Sequence, residues 1–205
     1  EAPVTVVTTS RWWGNAWKYR ERTFRHAWWD SGTMVANMLA TANALDLPAQ
    51  AVLGFADHPV ADLLGVDPRE EAPLELLPVG SGDPAPDPPD APEIAPETEP
   101  LSPDPKEYPL IHEAWEAGTL PDGDSATEWR AVGEDRLGTR SPGDGERFEL
   151  DPVGPDRASK RPLFDTIRRR TSCREFVHDP VSYRKLSTVL DRSVRGVPID
   201  ARGEA

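Results

Sequence analysis

Between residues 81 and 105 the chain carries nine prolines and seven acidic residues in 25 positions, with no lysine or arginine. Proline lacks a backbone donor and fixes φ, so such a stretch builds neither a helix nor an interior strand. Its low apolar content leaves too little surface to bury against the entropy of ordering. It is expected to be a stiff, extended and disordered linker that divides the chain.

The rest of the composition excludes several classes. There are 36 acidic residues against 23 basic ones, a net charge of −13 and a pI near 4.7. That balance repels a phosphate backbone and argues against nucleic acid as a partner. No apolar run is long enough to span a membrane. The opening Glu1-Ala2-Pro3 lacks the basic flank and apolar run of a signal peptide. Cys173 is alone, so no internal disulfide framework exists, and a reducing, cytoplasmic setting is the default. His26, His58, His112 and His178 are scattered without metal-ligand spacing, so no metal site is expected. The absent initiator methionine, with a strand-like run beginning at Val4, raises the expectation that the chain is a piece of a longer protein.

Four segments follow from the patterning. Residues 1–80 read as ordered. Val4–Thr9 is β-branched and predicts a strand. From about Arg25 to Asp46, Met34, Val35, Met38, Leu39, Ala42 and Leu45 recur at helical steps, and Pro48 ends that helix. Val52-Leu53-Gly54-Phe55 reads as a short strand or strand end. Asp57 caps a short helix with Pro59 in its first turn and Gly65 at its close. Pro73–Gly80 reads as an edge strand, because Pro78 lies within it. After the linker of 81–105, residues 106–160 are mixed, with short helices around Tyr108–Trp115 and at Trp129, and a loop at 138–145. In residues 161–205, one helix starts at Leu163 and runs into Arg168-Arg169-Arg170. A second follows Pro180, with Ser182 as its N-cap and Leu186, Val189 and Leu190 on one face.

Three groups of residues could carry chemistry. Arg168 to Arg174 crowds arginines and the hydroxyls of Thr171 and Ser172 at a helix end, a set that suits a phosphate. The plainer alternative is a helix C-terminus favouring cations. Lys18-Tyr19 places two titratable groups side by side, which suits proton transfer; a solvated basic patch between aromatics is the other reading. Gly54 beside a strand end allows a planar ring to approach the backbone, or serves simple turn packing. Trp12, Trp13, Trp28 and Trp29 form either a ligand-facing wall or, more simply, core or interface packing.

The run Arg170-x-Ser172-x-Arg174-x-Phe176, after a short helix containing Ile167, resembles the opening motif of the nitroreductase superfamily of FMN enzymes. The run from Lys18 to Phe55 is similar to the latter half of SagB-type dehydrogenases, the flavin-dependent azoline oxidases of peptide natural-product pathways. The resemblance implies an α+β, nitroreductase-like fold, a mixed or antiparallel sheet flanked by helices. It implies that Arg170, Ser172 and Arg174 bind the FMN phosphate and ribityl chain. It further implies that backbone groups of Val52, Leu53 and Gly54 lie near the flavin ring, and that Lys18 and Tyr19 act in the oxidation. Thr33 stands where many relatives have histidine, and the basic residue expected after the last strand is missing beyond Gly80.

Residues 1–80 then look like the C-terminal half of one nitroreductase-like domain, and 161–205 like the start of a second, in a tandem arrangement. The implied activity is hydride transfer between a small-molecule or peptide substrate and FMN, in the intact parent protein rather than in this piece alone. A dimer or an intramolecular pseudo-dimer is implied. Two other readings stay open: a degenerate, non-catalytic scaffold or peptide-binding pair, and a plain nitroreductase without need of Lys18 and Tyr19.

Overall fold

The structure, a computed structural model, describes residues 2–83, 94–131, 143–194 and 199–200. The chain falls into two compact units. One comprises residues 1–138 with 198–205, the other residues 139–197. This grouping differs from the four sequence segments, because the described residues Ile199 and Asp200 go with the first unit.

The larger unit is built on two antiparallel strands, β1 (Val4–Arg11) and β2 (Glu71–Val79). Their register runs from Val4 opposite Val79 to Arg11 opposite Glu71, with an irregularity between Thr8 and Thr9. β-Branched residues favour β1. β2 is nearly all apolar, as a strand covered on both faces must be. Pro78 lies one residue from its end, as its missing donor requires. On the other side of β2, Val52 exchanges two backbone hydrogen bonds with Leu76, at 2.8 and 3.0 Å.

Four elements cover this ribbon: α1 (Trp13–Tyr19), α2 (Thr23–Ala44), α3 (Asp57–Leu64) and α4 (Pro109–Glu116). A short 3₁₀ turn, Arg20–Arg22, joins the first two helices. α2 runs close to its expected bounds and stops before Pro48. α3 carries Pro59 in its first turn and ends on Gly65 at φ 66°. A side chain there would be strained, and its Cβ would meet the carbonyl of Ile94. A fifth helix, α5 (Gly123–Ala131), follows, with Trp129 on it as expected.

Two clusters form the core. One joins Trp12, Ala16, Ala27, Leu74, Ile111 and Trp115; the other joins Val35, Ala51 and Leu77. Trp12 is therefore part of the core. Its indole N–H donates to the Pro68 carbonyl at 2.9 Å, which meets the demand of a buried indole.

Two sequence expectations are corrected, and one element, α1, was not anticipated. Val52–Phe55 forms no ladder. Pairing is confined to isolated bridges at Ala49, Ala51, Val52 and Ala56, because Leu53 and Gly54 give their amides to a side chain instead. The tryptophan-rich run before Lys18 is helical, an element with no separate periodicity to reveal it in seven residues. In the smaller unit, α6 (Leu163–Arg169) and α7 (Tyr183–Val194) form where expected, and Ser182 Oγ accepts the Lys185 N–H at 3.4 Å. However, Leu186, Val189 and Leu190 are exposed, while Ser187 and Asp191 are buried. The polar side of α7 packs on residues 149–153. Thr188 accepts the Val153 N–H, and Arg184 pairs with Asp151 at 2.6 Å.

Within residues 81–105, the described positions 94–105 form neither helix nor strand. The Glu99 carbonyl accepts a hydrogen bond from Arg11 at 3.2 Å. The expected loop at 138–145 falls partly outside the described residues.

Candidate functional site

Lys18 and Tyr19 close α1. The Lys18 ammonium lies 5.1 Å from the centre of the Tyr19 ring, and the Arg22 guanidinium 5.8 Å from it. His26, one helical turn into α2, stacks on the same ring at 4.0 Å and 27°. Trp29 meets His26 edge-on at 5.1 Å. Tyr19 is thus held by rings and cations at a fixed helix junction. Between it and α2, Arg20 takes φ 52° and ψ −134°, a region that L-residues adopt only under strain. Lys18, Arg20, Arg22 and Arg25 are exposed. Among the described residues none forms an ion pair with Lys18. Neither His26 nor the strain at Arg20 was legible in the sequence, since both arise from how two helices meet.

Val52, Leu53 and Gly54 follow a different rule. Val52 spends both backbone groups on Leu76. The next two amides converge on one carboxylate: Leu53 N–H donates to Asp200 Oδ1 at 2.7 Å and Gly54 N–H to Oδ2 at 2.9 Å. Gly54 has no side chain because the Trp129 indole lies against it; a Cβ there would sit 2.6 Å from Trp129 Cε3. Asp200 stands 146 positions from Gly54 in sequence, so no local pattern announces the contact.

Arg170, Ser172 and Arg174 belong to the smaller unit, on the exposed segment that follows α6. Their side chains make no hydrogen bond or ion pair with any described residue. Cys173 between them is exposed, and its thiol reaches the Glu175 carbonyl at 3.0 Å.

A further polar group lies inside the larger unit. Glu75 on β2 is buried, and its Oε2 accepts hydrogen bonds from Thr8 on β1 and Ser31 on α2. The one sequence signal was an acid inside the apolar run Leu74–Leu77. Asp57, at the start of α3, is raised above the ordinary carboxylate range by burial. The Leu120 N–H it accepts at 2.8 Å opposes that rise. Asp122 is lowered by the Ser125 amide it caps. A cavity of about 220 Å³ opens beside Trp12, Tyr108 and His112. Among the described residues no three His, Cys, Asp or Glu side chains are grouped to hold a metal. No described helix is long and apolar enough to cross a membrane.

The flavin implied by the resemblance can be tested against this geometry. Two adjacent amides that already grip a planar carboxylate have the donor chemistry for a paired acceptor edge, while the Trp129 indole covers the side of Gly54 where a Cβ would stand. The donor set fits.

Comparison with known proteins agrees at the level of fold. Residues 1–81 match the model of the Nitroreductase family. A solved structure from Anabaena variabilis ATCC 29413, provisionally described as a nitroreductase, superposes with a TM-score of 0.59 and 19% identity. The match covers 93% of this chain and 38% of that one. No curated protein matches the chain. The fold is nitroreductase-like α+β, with helices around a small antiparallel sheet, and this chain spans well under half the length of that relative.

Proposed function

We propose that the chain is part of a flavin-dependent oxidoreductase of the nitroreductase type. The observation that carries this reading is the family match over residues 1–81, which spans both the Lys18–Tyr19 junction and the Leu53–Gly54 donor pair. The finer reading is a SagB-type enzyme using FMN, with a small-molecule or peptide substrate. When bound, FMN would accept hydride from the substrate and pass the electrons to oxygen or another acceptor. The protein's own share is binding and proton handling. The amides of Leu53 and Gly54 hold the acceptor edge of the ring. The smaller unit, taken by itself, offers Arg170, Ser172 and Arg174 as guanidinium and hydroxyl donors suited to a phosphate and ribityl chain, at the start of a second domain. Tyr19 Oη gives or takes the substrate proton, and Lys18 Nζ carries positive charge beside that ring. The His26 stack keeps the Tyr19 ring in place.

The test is a titration of the protein with FMN, followed by quenching of flavin fluorescence. Saturable binding is expected, weakened about tenfold or more in Arg174→Ala by loss of a charge-assisted contact. With substrate turnover in hand, Lys18→Ala should abolish it and leave FMN affinity unchanged. Absence of binding in wild type, or binding indifferent to Arg174, would overturn the reading.

One observation favours a second reading, a non-catalytic scaffold or peptide-binding protein. Asp200 and Trp129 already occupy the amides and the bare face of Gly54, and residues 81–105 hold no basic residue to reach a phosphate. Peptide bound without flavin would favour it.

A further inference from the structure

The amides of Leu53 and Gly54 are unlike those around them. Val52 is consumed by β2, and the chain then turns away from the ladder. Gly54 is buried, so its N–H needs a partner; leaving it bare would cost the full penalty of an unpaired donor. In the closed fold the Gly54 amide therefore needs an acceptor, and the half-buried Leu53 amide beside it shares that acceptor.

In this structure that group is Asp200. Among the described residues, two further contacts accompany it. Ile199 lies parallel to Ala51 and packs on the Val35–Ala51–Leu77 cluster. The Asp200 N–H donates to the Ala51 carbonyl at 3.2 Å. From there the carboxylate reaches both amides, one oxygen to each. A carboxylate on two N–H donors is a strong, charge-assisted acceptor, and it takes the same donors that the flavin reading assigns to the ring.

We infer that Asp200 is an internal competitor for the flavin at the Leu53–Gly54 amides. This rests on the flavin reading of the same loop given above. Two arrangements then share one donor pair. In one, Asp200 closes it; in the other, Asp200 has left and the acceptor edge of the ring takes its place. The apparent affinity for flavin is the intrinsic affinity reduced by the fraction of molecules in the open arrangement. A second ligand or partner that draws Ile199–Asp200 away would raise flavin affinity without touching the flavin.

The experiment uses the full chain and two variants, Asp200→Ala and Asp200→Asn. Asparagine keeps the shape and one acceptor oxygen but not the charge. Amide hydrogen exchange is read at Leu53, Gly54 and, as an internal reference, Leu76. FMN affinity is read by fluorescence quenching. In Asp200→Ala the first two amides should exchange faster, with Leu76 unchanged. FMN should bind about tenfold tighter, and its addition should restore protection at both amides. Asp200→Asn should fall between wild type and Asp200→Ala, and it decides the matter if the alanine variant does not fold. Faster exchange with unchanged or weaker FMN binding overturns the competitor and leaves the flavin reading standing. Exchange that does not respond to either substitution overturns it as well, since the carboxylate then does not hold the amides. Absence of FMN binding by the wild-type chain removes the flavin reading, and the competitor with it.

Discussion

The hydroxyl of Ser31, on α2, donates to the carboxylate of Glu75, on β2, inside a part of the protein where both residues are almost wholly buried. Thr8 from β1 donates to the same oxygen, and its Oγ1 lies 3.0 Å from that of Ser31. Helix and both strands are thus joined through one carboxylate between the two apolar clusters. A buried carboxylate is tolerable only while its donors are in place. Ser31→Ala should destabilise the larger unit by about 1–3 kcal/mol, and Thr8→Val by a similar amount. The double variant should depart from the sum, because both donors serve one oxygen. Urea unfolding followed by tryptophan fluorescence measures this cleanly, since all seven tryptophans lie in the larger unit.

Gly54→Ala should cost about 1–3 kcal/mol, because the new methyl must displace the Trp129 indole from a packed position. Pairing it with Trp129→Leu should recover part of that loss, as the indole is the nearest group the methyl meets, with Arg130 Cγ next at 3.1 Å. A Gly54→Ala effect that is the same in both backgrounds would show that Trp129 is not what the methyl meets.

Arg20→Gly should stabilise the protein by up to about 1 kcal/mol. Glycine adopts the observed φ of 52° without the penalty an arginine side chain carries there. The gain is reduced by the greater freedom of glycine in the unfolded chain. Loss of stability would mean that the arginine side chain holds the junction by contacts that outweigh the strain.

Asp57 gives a pH signature. Burial raises its folded pKa above the ordinary 3.8, so the folded state favours the neutral carboxyl. Its contribution to stability is greatest below 3.8 and is lost as pH rises from there through the folded value. Asp57→Asn keeps an oxygen for the Leu120 N–H and does not titrate. The stability of the variant relative to wild type should therefore improve as pH rises through that window and level off above it. A difference constant with pH would refute the assignment.

Much of the local structure was legible in the sequence. Val4–Thr9, the α2 periodicity ended before Pro48, Pro59 and Gly65 around α3, and the Ser182 cap all depend on neighbours a few residues away. Backbone restriction, side-chain branching and helical spacing act at that range. The nitroreductase-like character of residues 1–80 was legible too, through the resemblance carried by the run from Lys18 to Phe55, and the family model matches residues 1–81. The adjacency of Lys18 and Tyr19 is covalent and needed no fold to establish it.

Other features belong to the tertiary structure alone. Nothing near Gly54 says that Trp129 will cover it or that Asp200 will take its amide, because those partners are 75 and 146 positions away in the chain. Nothing near Tyr19 says that His26 will stack on it, because the angle between α1 and α2 is set by the strained turn at Arg20 and by the core beneath. The buried polar side of α7 inverts the face its periodicity implied, since spacing tells which residues share a face and not which face finds a partner. Propensity and periodicity are properties of a segment. The convergence of donors on one carboxylate, and of rings on one another, is decided only when distant segments compete for the same buried space.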